Sequence, residues 1–247
     1  MRQQASNNLV DQTYWDRGYD QIKLDIADPV DTVRQWIERQ IPRGMGSCFE
    51  VGCFPGRYLA VFGELGYELH GLDRTPRVET ELPLWLKSRS YKVGRFFRGD
   101  FFSHGASRTY DIVCSFGFIE HFRDWECVLA KHSSLVNRGG CLVVAVPNFS
   151  GSVQRFLHRT LDRANYDLHH VPAMDPARWG EVVRRLGFSI LYTGYFGRFD
   201  FWTMNGSPTR LQHVGLSLLF RNMRLLRKVP EGLRSFAPYC GMVARRR

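Results

Sequence analysis

The chain has 247 residues, of which 44% are hydrophobic and 23% charged, a balance that supports a packed core and excludes wholesale disorder. Its net charge of +10 is concentrated at one end, because residues 205–247 carry nine basic side chains and one acid, a net +8. A protein that coats a nucleic-acid backbone would spread its basic residues over a broad face, so a nucleic-acid partner is not expected.

The sequence also indicates where the protein resides. No apolar run reaches the roughly 18–20 residues that cross a bilayer. The polar start of the sequence, residues 1–8, lacks the apolar core of a signal peptide. Six scattered cysteines without a Cys-x-x-Cys pair favour reduced thiols and argue against a zinc site or a disulfide framework. We therefore expect a cytoplasmic protein without a bound metal.

Short apolar strands alternate with helices along the chain. The first forty residues are predicted to be helical. Strands are then predicted at 47–52, 67–73, 92–98, 110–116, 141–146, 188–195 and 239–244. Helices are predicted from the turn at 53–56 through Leu65, and at 78–89, 122–135, 175–186 and 208–228, with an inserted helix and loop at 150–170. Strands that are apolar on both faces and separated by helices are typical of a parallel sheet covered on both sides. Right-handed crossovers then give a doubly wound α/β sheet.

The organisation that this pattern predicts is one domain over residues 1–247. A helical lid is expected at 1–44, a core at 45–195, and a cap insertion before the last strand at 196–238.

The residues that carry chemistry follow the predicted strands. The first strand runs into a glycine turn, Glu50-Val-Gly-Cys-Phe-Pro-Gly56, and the second ends at Asp73. An acid about twenty residues beyond a glycine turn suits a ribose diol. Three further segments follow the same pattern: Gly99-Asp-Phe101, Ser115-Phe-Gly-Phe-Ile-Glu-His121 and Asn137-Arg-Gly-Gly140. Glycines four residues apart do not fit the Gly-x-Gly-x-x-Gly turn of a nicotinamide-binding domain.

In this order, the five motifs resemble those of the class I S-adenosylmethionine-dependent methyltransferases, over about residues 45–195. The resemblance implies a Rossmann-like, mostly parallel seven-stranded sheet with an antiparallel last strand, and S-adenosylmethionine as cofactor. In that family the glycine turn passes under the methionine part, the acid after the second strand holds the ribose, and the acid–apolar pair after the third frames adenine. The cofactor-binding residues implied here are Glu50, Gly52, Cys53, Phe54, Gly56, Asp73, Asp100, Phe101, Ser115 and Phe116.

One position departs from the family pattern. Phe54, followed by Pro55, stands where the middle glycine of the turn is expected. A glycine there lets the backbone approach a ligand, so Phe54 either bends away or changes the wall of the pocket.

His121 is the first candidate for a general base, because ligands gather at the carboxyl ends of the strands in a doubly wound sheet. His169 and His170 come second. The alternative for all three is a purely structural histidine. Candidate substrate contacts are Tyr14 and Trp15 in an aromatic lid and Phe199 and Trp202 in the cap; the alternative is that these aromatic residues only pack against the sheet or seal the edge of the core.

The predicted activity is O-methylation of a hydroxyl on a small-molecule or sugar/glycan acceptor. The alternatives are N-methylation of a small amine, or a cofactor-binding scaffold without turnover. An Asn/Asp-Pro-Pro-aromatic segment, typical of enzymes that methylate nucleobase amines, does not follow the fourth strand. Residues 208–228 predict a basic amphipathic helix. Such a helix suits peripheral contact with the anionic inner face of a membrane, or binding of an acidic or lipid-linked acceptor. The alternative is a cap helix with solvated arginines.

Overall fold

The fold is described from a computed structural model, for residues 8–10, 12–19, 22–105, 108–203 and 208–247. Most of the polar start, residues 1–7, and positions 204–207 of the predicted cap lie outside the described residues. The strands are β1 (Ser47–Val51), β2 (Glu68–Asp73), β3 (Val93–Arg98), β4 (Tyr110–Phe116), β5 (Val136–Pro147), β6 (Phe188–Phe196) and β7 (Tyr239–Arg246). The helices are α1 (Gln12–Tyr19), α2 (Thr32–Gln40), α3 (Leu59–Glu64), α4 (Arg77–Thr80), α5 (Leu82–Ser88), α6 (Trp125–Ser134), α7 (Ser152–Leu161), α8 (Arg163–Asp167), α9 (Pro176–Arg185) and α10 (Arg210–Leu226).

All seven strands form one sheet in the order β3-β2-β1-β4-β5-β7-β6. Strands β1 to β5 pair in parallel, and β7 runs antiparallel to both β5 and β6. The predicted doubly wound, mostly parallel sheet with an antiparallel last strand is confirmed. The strand order reverses between β1 and β4, and ligands bind at such a switch point in open α/β sheets.

Helices cover both faces of the sheet, and β1 shows why its sequence is apolar throughout. Phe49 and Val51 join the cluster that includes Trp179 of α9, whereas Cys48 joins the cluster that includes Trp36 of α2. Successive side chains of a strand point to opposite faces, so both sets are buried. Each fully buried large apolar side chain contributes about 1.5–3 kcal/mol of burial free energy.

Local signals refine two predicted helix boundaries. The predicted helix at 78–89 is two helices, α4 and α5, with Pro83 in the first turn of α5, where a missing backbone N–H is tolerated. The predicted helix at 122–135 begins later, because the Asp124 side chain caps the first turn of α6. A 3-10 turn, Ile119–His121, occupies the chain between β4 and that cap.

The N-terminal segment is helical only in part, since residues 22–28 between α1 and α2 are not in a helix. Two backbone contacts attach its start to the end of the β4 region. Asn8 forms an isolated antiparallel bridge with Phe122, and the Leu9 N–H donates to the carbonyl of His121 over 2.8 Å. The segment therefore lies over the carboxyl ends of the strands, where the site is expected.

A third, smaller core lies under α10. It contains Phe199, Phe201 and Met223, packed against apolar side chains of α7. Among the helices of the described residues, none is both long and apolar enough to cross a membrane.

Candidate active site

A cavity of about 270 Å³ opens at the carboxyl ends of β1, β2 and β4. Glycines, acidic residues and aromatic residues from several separate segments of the chain border it. Of the residues predicted to bind cofactor, catalyse or contact substrate, the cavity brings together Trp15, Gly52, Phe54, Asp73, Asp100, Phe101, Phe116 and His121.

The glycine turn reaches the cavity at Gly52. This residue has φ +70°, and an added Cβ would lie 2.8 Å from the ring of Phe118. Only glycine fits there without displacing the neighbouring ring. Gly56, also at positive φ, lies outside the lining because it packs against the Leu82 side chain of α5.

Phe54 forms part of the cavity wall. Its ring is 4% exposed and packs edge-on against Tyr19, with the Arg77 guanidinium 4.7 Å from the ring centroid. Of the two outcomes expected at this position, the structure shows a changed wall. Phe54 links the glycine turn to helix α1.

Asp73 is fixed at the edge of the cavity by two backbone groups. Its Oδ2 accepts from the Phe54 N–H over 3.1 Å, and its Oδ1 accepts from the Thr75 N–H over 3.0 Å. The side chain is 7% exposed and borders the cavity. A pre-oriented carboxylate at the end of the second strand is suited to accept hydrogen bonds from a diol.

Besides Gly56, three more of the predicted cofactor residues, Glu50, Cys53 and Ser115, lie outside the lining. Glu50 is buried, and its Oε2 has no hydrogen-bond partner among the described residues. Burial, and then the charge of Asp73, raise the pKa of Glu50 well above its usual value. Cys53 directs its Sγ against Gly71, and Ser115 is fully buried in β4. Because side chains alternate along a strand, only some residues of each motif reach the ligand side.

Asp100 and Phe101 border the cavity on its β3 side. Asp100 Oδ1 accepts from the Phe102 N–H over 2.8 Å, which holds this short loop in shape. Phe101 is 4% exposed and packs against His132, with the ring centroids 4.6 Å apart. The result is an apolar wall beside a half-exposed carboxylate.

His121 borders the cavity from the 3-10 turn after β4. Its Nδ1 lies 3.0 Å from the Leu168 carbonyl oxygen. Its ring packs edge-on against that of Trp15, with the ring centroids 5.2 Å apart. A carbonyl can only accept, so Nδ1 carries the proton and the lone pair is on Nε2. Burial lowers the pKa of His121 to about 4, so the ring is neutral at physiological pH.

The other two predicted histidines differ in position. The ring of His169 lies 4.8 Å from that of His121, and its Nδ1 is 2.7 Å from the Asn165 carbonyl. His170 is half-buried, lines neither of the cavities described here, and donates its backbone N–H to the Glu120 carbonyl over 2.6 Å.

Glu120 is a residue that sequence reasoning missed. It is completely buried next to His121, and burial raises its pKa to about 8. The available signal was an acid beside a histidine directly after the fourth strand.

Of the four predicted substrate contacts, Trp15 borders the first cavity and Trp202 the second, whereas Tyr14 and Phe199 border neither. A second cavity of about 190 Å³ shares Phe116 and Gly117 with the first and is bordered by Trp202. Tyr14 packs edge-on against Trp15 in α1, with the ring centroids 5.3 Å apart. Phe199, in contrast, borders neither cavity, because its ring is buried in the small core under α10.

The sheet order, the glycine turn and the acid at the end of β2 define a class I S-adenosylmethionine-dependent methyltransferase. Residues 23–193 match the family model described as a methyltransferase domain, and the chain belongs to this family. No curated protein sequence matches the chain significantly.

Solved structures agree in fold. Magnesium protoporphyrin IX methyltransferase from Synechocystis PCC 6803, solved with bound S-adenosylhomocysteine, is 15% identical, with a TM-score of 0.55 over 95% of this chain and 94% of its own. A SAM-dependent methyltransferase from Archaeoglobus fulgidus is 17% identical, with a TM-score of 0.56 over 87% of this chain and 93% of its own.

Proposed function

We propose that this protein transfers the methyl group of S-adenosylmethionine to a hydroxyl of a small, ring-bearing acceptor. The observation that carries the proposal is the first cavity, in which the positive-φ Gly52 and the backbone-held Asp73 face the same space. These two residues suit the cofactor. A glycine without Cβ admits the methionine part, and a fixed carboxylate accepts hydrogen bonds from the ribose diol.

The roles of the lining residues follow from their positions. Asp73 holds the ribose, Gly52 lies beside the methionine part, and Asp100 with Phe101 frames adenine. Bound S-adenosylmethionine would supply a methyl group on a sulfonium: the acceptor oxygen would bond to the methyl carbon in line as the carbon–sulfur bond breaks, with S-adenosylhomocysteine as leaving group and loss of the hydroxyl proton. The chain therefore supplies mainly proximity and orientation, which account for about 7–11 kcal/mol of barrier lowering in well-oriented reactions.

His121 is proposed to orient the acceptor hydroxyl. Its Nδ1–H is committed to the Leu168 carbonyl, so the Nε2 lone pair remains for a hydroxyl proton. Because burial lowers its pKa to about 4, His121 alone is a weaker proton acceptor than an ordinary histidine. Orientation is accordingly its main contribution, and its predicted role as a strong general base stays a prediction.

The second cavity supports a neutral ring-bearing acceptor. Trp202 and Tyr239 stack there with their ring centroids 5.3 Å apart and their planes at 14°, which forms a flat aromatic wall. Such a wall packs well against the face of a sugar or an aromatic ring. None of the described residues that border this cavity is acidic, and the carboxylate of Asp31 lies outside the lining, 3.4 Å from the Tyr58 hydroxyl, so an ammonium acceptor would have no carboxylate in the lining itself. These features favour O-methylation over N-methylation of a small amine.

Helix α10 supports a further proposal, that the protein attaches to an anionic membrane surface, where a lipid-linked or acidic acceptor would be found. Four apolar side chains at helical spacing face outward: Leu211, Val214, Leu218 and Leu225 are 81%, 58%, 57% and 61% exposed. Exposed basic residues accompany this stripe, namely Arg210, Arg221, Arg224 and Lys228. A solvated cap helix would bury its apolar side chains, whereas an interfacial helix exposes them beside basic ones.

Two measurements test the main proposal. Calorimetric titration with S-adenosylhomocysteine is expected to give one site per chain. Methyl-labelled S-adenosylmethionine, incubated with a panel of phenols, sugars and primary amines, is expected to label hydroxyl acceptors. His121→Gln should reduce labelling by about a hundredfold, the cost of misplacing a reacting group, and leave S-adenosylhomocysteine affinity unchanged. Absence of titration heat would overturn cofactor binding, titration heat without any label transfer would favour the scaffold alternative, and label confined to amines would favour N-methylation.

A further inference from the structure

Three potential ligand side chains converge where the 3-10 turn after β4 meets the segment following α8. Glu120, His121 and His169 each direct one donor atom into this point, and these atoms lie within 4.8 Å of one another. His121 also borders the cofactor cavity, and Gly117, which borders both cavities, would place a Cβ 3.6 Å from Glu120 Oε1. The group thus lies next to the junction of the two cavities.

The carboxyl group of Glu120 lacks the partners that its burial requires. Its side chain is 0% exposed, and neither oxygen has a hydrogen-bond partner among the described residues. The nearest cationic candidate, Nε2 of His121, is 3.9 Å from Oε1, too far for a hydrogen bond. A buried, unpartnered carboxyl is costly, and a cation between it and the histidines would offset that cost.

The two histidines are arranged as metal ligands commonly are. Each directs Nδ1 at a backbone carbonyl, His121 to Leu168 at 3.0 Å and His169 to Asn165 at 2.7 Å. Such bonds fix the tautomer and leave Nε2 as the free donor, as in many metal sites. The lone pair on each Nε2 is the group that binds an ion, because the neutral imidazole is the form that ligates metals.

We propose that Glu120, His121 and His169 bind one divalent transition-metal ion at the junction of the two cavities. Two imidazoles and one carboxylate are a donor set for Zn²⁺, Fe²⁺, Co²⁺ or Ni²⁺ rather than for Mg²⁺ or Ca²⁺, which prefer oxygen. Ligand atoms about 2.1 Å from a tetrahedral ion lie about 3.4 Å apart, so binding draws these donor atoms, now within 4.8 Å of one another, together by up to about 1.4 Å. Three protein ligands leave at least one coordination position open.

The consequence for catalysis rests on the proposed function. An acceptor hydroxyl in the open position would be polarised by the ion, and His121 would then orient it through the ion. The ion would act as a Lewis acid that stabilises the charge developing on that hydroxyl oxygen. The sequence predicted no metal because its cysteine spacing excludes a zinc finger, while this ligand set joins residues 48 positions apart in the chain.

The test is metal binding by the untagged, chelator-treated full chain. Titration with Co²⁺ should produce a visible d–d absorption band that saturates at one equivalent, and Zn²⁺ should abolish that band. Glu120→Gln and His169→Gln should each weaken binding by about a hundredfold or more, since losing even an indirect partner of a metal-bound histidine costs about 10–100-fold. His169 is only half-buried, so its variant keeps the test valid if Glu120→Gln does not fold.

His132→Gln is the matched control. His132 is also fully buried with Nδ1 on a backbone carbonyl, 2.8 Å from Val128, yet it is not one of the three clustered ligand residues. It should leave Co²⁺ binding unchanged. Absence of saturable Co²⁺ absorption, or equal binding by wild type and His169→Gln, would overturn the metal site. S-adenosylhomocysteine titration of the same samples separates this outcome from failure of the proposed function, because the cofactor cavity does not include Glu120 or His169.

Discussion

The ring of Phe54 in the glycine turn packs edge-on against the ring of Tyr19 in α1, with the centroids 4.8 Å apart. A second contact joins the same segments, because Arg77 donates to the Tyr19 carbonyl over 2.6 Å and lies over the Phe54 ring. Phe54 thus stands where the family has a glycine, holds α1 against the glycine turn, and forms an aromatic wall of the cavity.

Removing this anchor should loosen α1. Phe54→Ala is expected to cost about 3–5 kcal/mol of folding stability, typical of truncating a buried phenylalanine, and to speed amide exchange in α1 more than in the sheet. Hydrogen-exchange mass spectrometry measures both. Phe156→Ala, at an exposed position of α7, is the control. Unchanged exchange in α1 would contradict the anchoring role.

Asp73 and Glu50 should differ in their effect on cofactor affinity although both are carboxylic acids of the same motif set. Asp73→Asn removes a charged acceptor from the cavity, and hydrogen bonds to charged groups are worth about 1.5–3 kcal/mol, so S-adenosylhomocysteine affinity should fall roughly ten- to a hundredfold. Glu50→Gln, behind the lining, should change it by less than about threefold. Calorimetric titration of the two folded variants measures these affinities. An equal loss of S-adenosylhomocysteine affinity in both would contradict the assignment of Asp73 to the cavity and of Glu50 behind it.

Glu50 should also affect how stability depends on pH. Burial and the charge of Asp73 raise its pKa well above 4.5, so the folded chain retains a proton that the unfolded chain releases. Raising the pH above about 4.5 therefore destabilises the folded state through this group. Glu50→Gln lacks the titration, so its melting temperature relative to wild type should increase from pH 5 to pH 8. A constant difference across that range would argue against a raised pKa.

Trp202 and Phe199 were both predicted to contact substrate, and the structure separates them. Trp202→Ala should raise KM for whichever hydroxyl acceptor the labelling panel identifies, by about tenfold or more, because it removes one side of the aromatic wall. Phe199→Ala should lower stability by about 3–5 kcal/mol and leave KM unchanged. Steady-state kinetics and thermal denaturation distinguish the two variants. An increase in KM for both would mean that the small core under α10 contributes to the acceptor site.

Helix α10 should bind anionic vesicles in a salt-dependent manner. Each basic residue near such a surface contributes about 1 kcal/mol, so Arg221, Arg224 and Lys228→Gln together should weaken binding by up to about a hundredfold. The double substitution Leu211→Gln and Leu218→Gln should weaken the component of vesicle binding that persists at high salt. The matched control neutralises Arg138, Arg184 and Arg185, which are exposed outside α10. Co-sedimentation with anionic and neutral vesicles measures binding, and light scattering tests whether the apolar stripe instead pairs two chains.

The sequence was sufficient for the sheet and for the chain segments that form the cofactor cavity. Short apolar runs and helical apolar patterns are local, so they predicted six strands to within about two residues. The seventh, β5, begins five residues earlier than predicted and includes the predicted turn at 137–140. Motifs that follow strands of a doubly wound sheet meet at one edge, which is why Asp73, Asp100 and His121 border a single cavity.

What the sequence determined by itself is therefore the class of the protein, because that class is defined by turns and acids at fixed distances from strands. The tertiary structure decided which members of each motif face the ligand: Gly52 borders the cavity, whereas Glu50 and Ser115 lie behind it. It also decided that Trp202 lines a cavity while Phe199 fills a core, and that Glu120 meets His169 across 48 intervening residues. These relationships depend on how distant segments pack, and burial and packing partners are properties of the folded chain that local spacing does not encode.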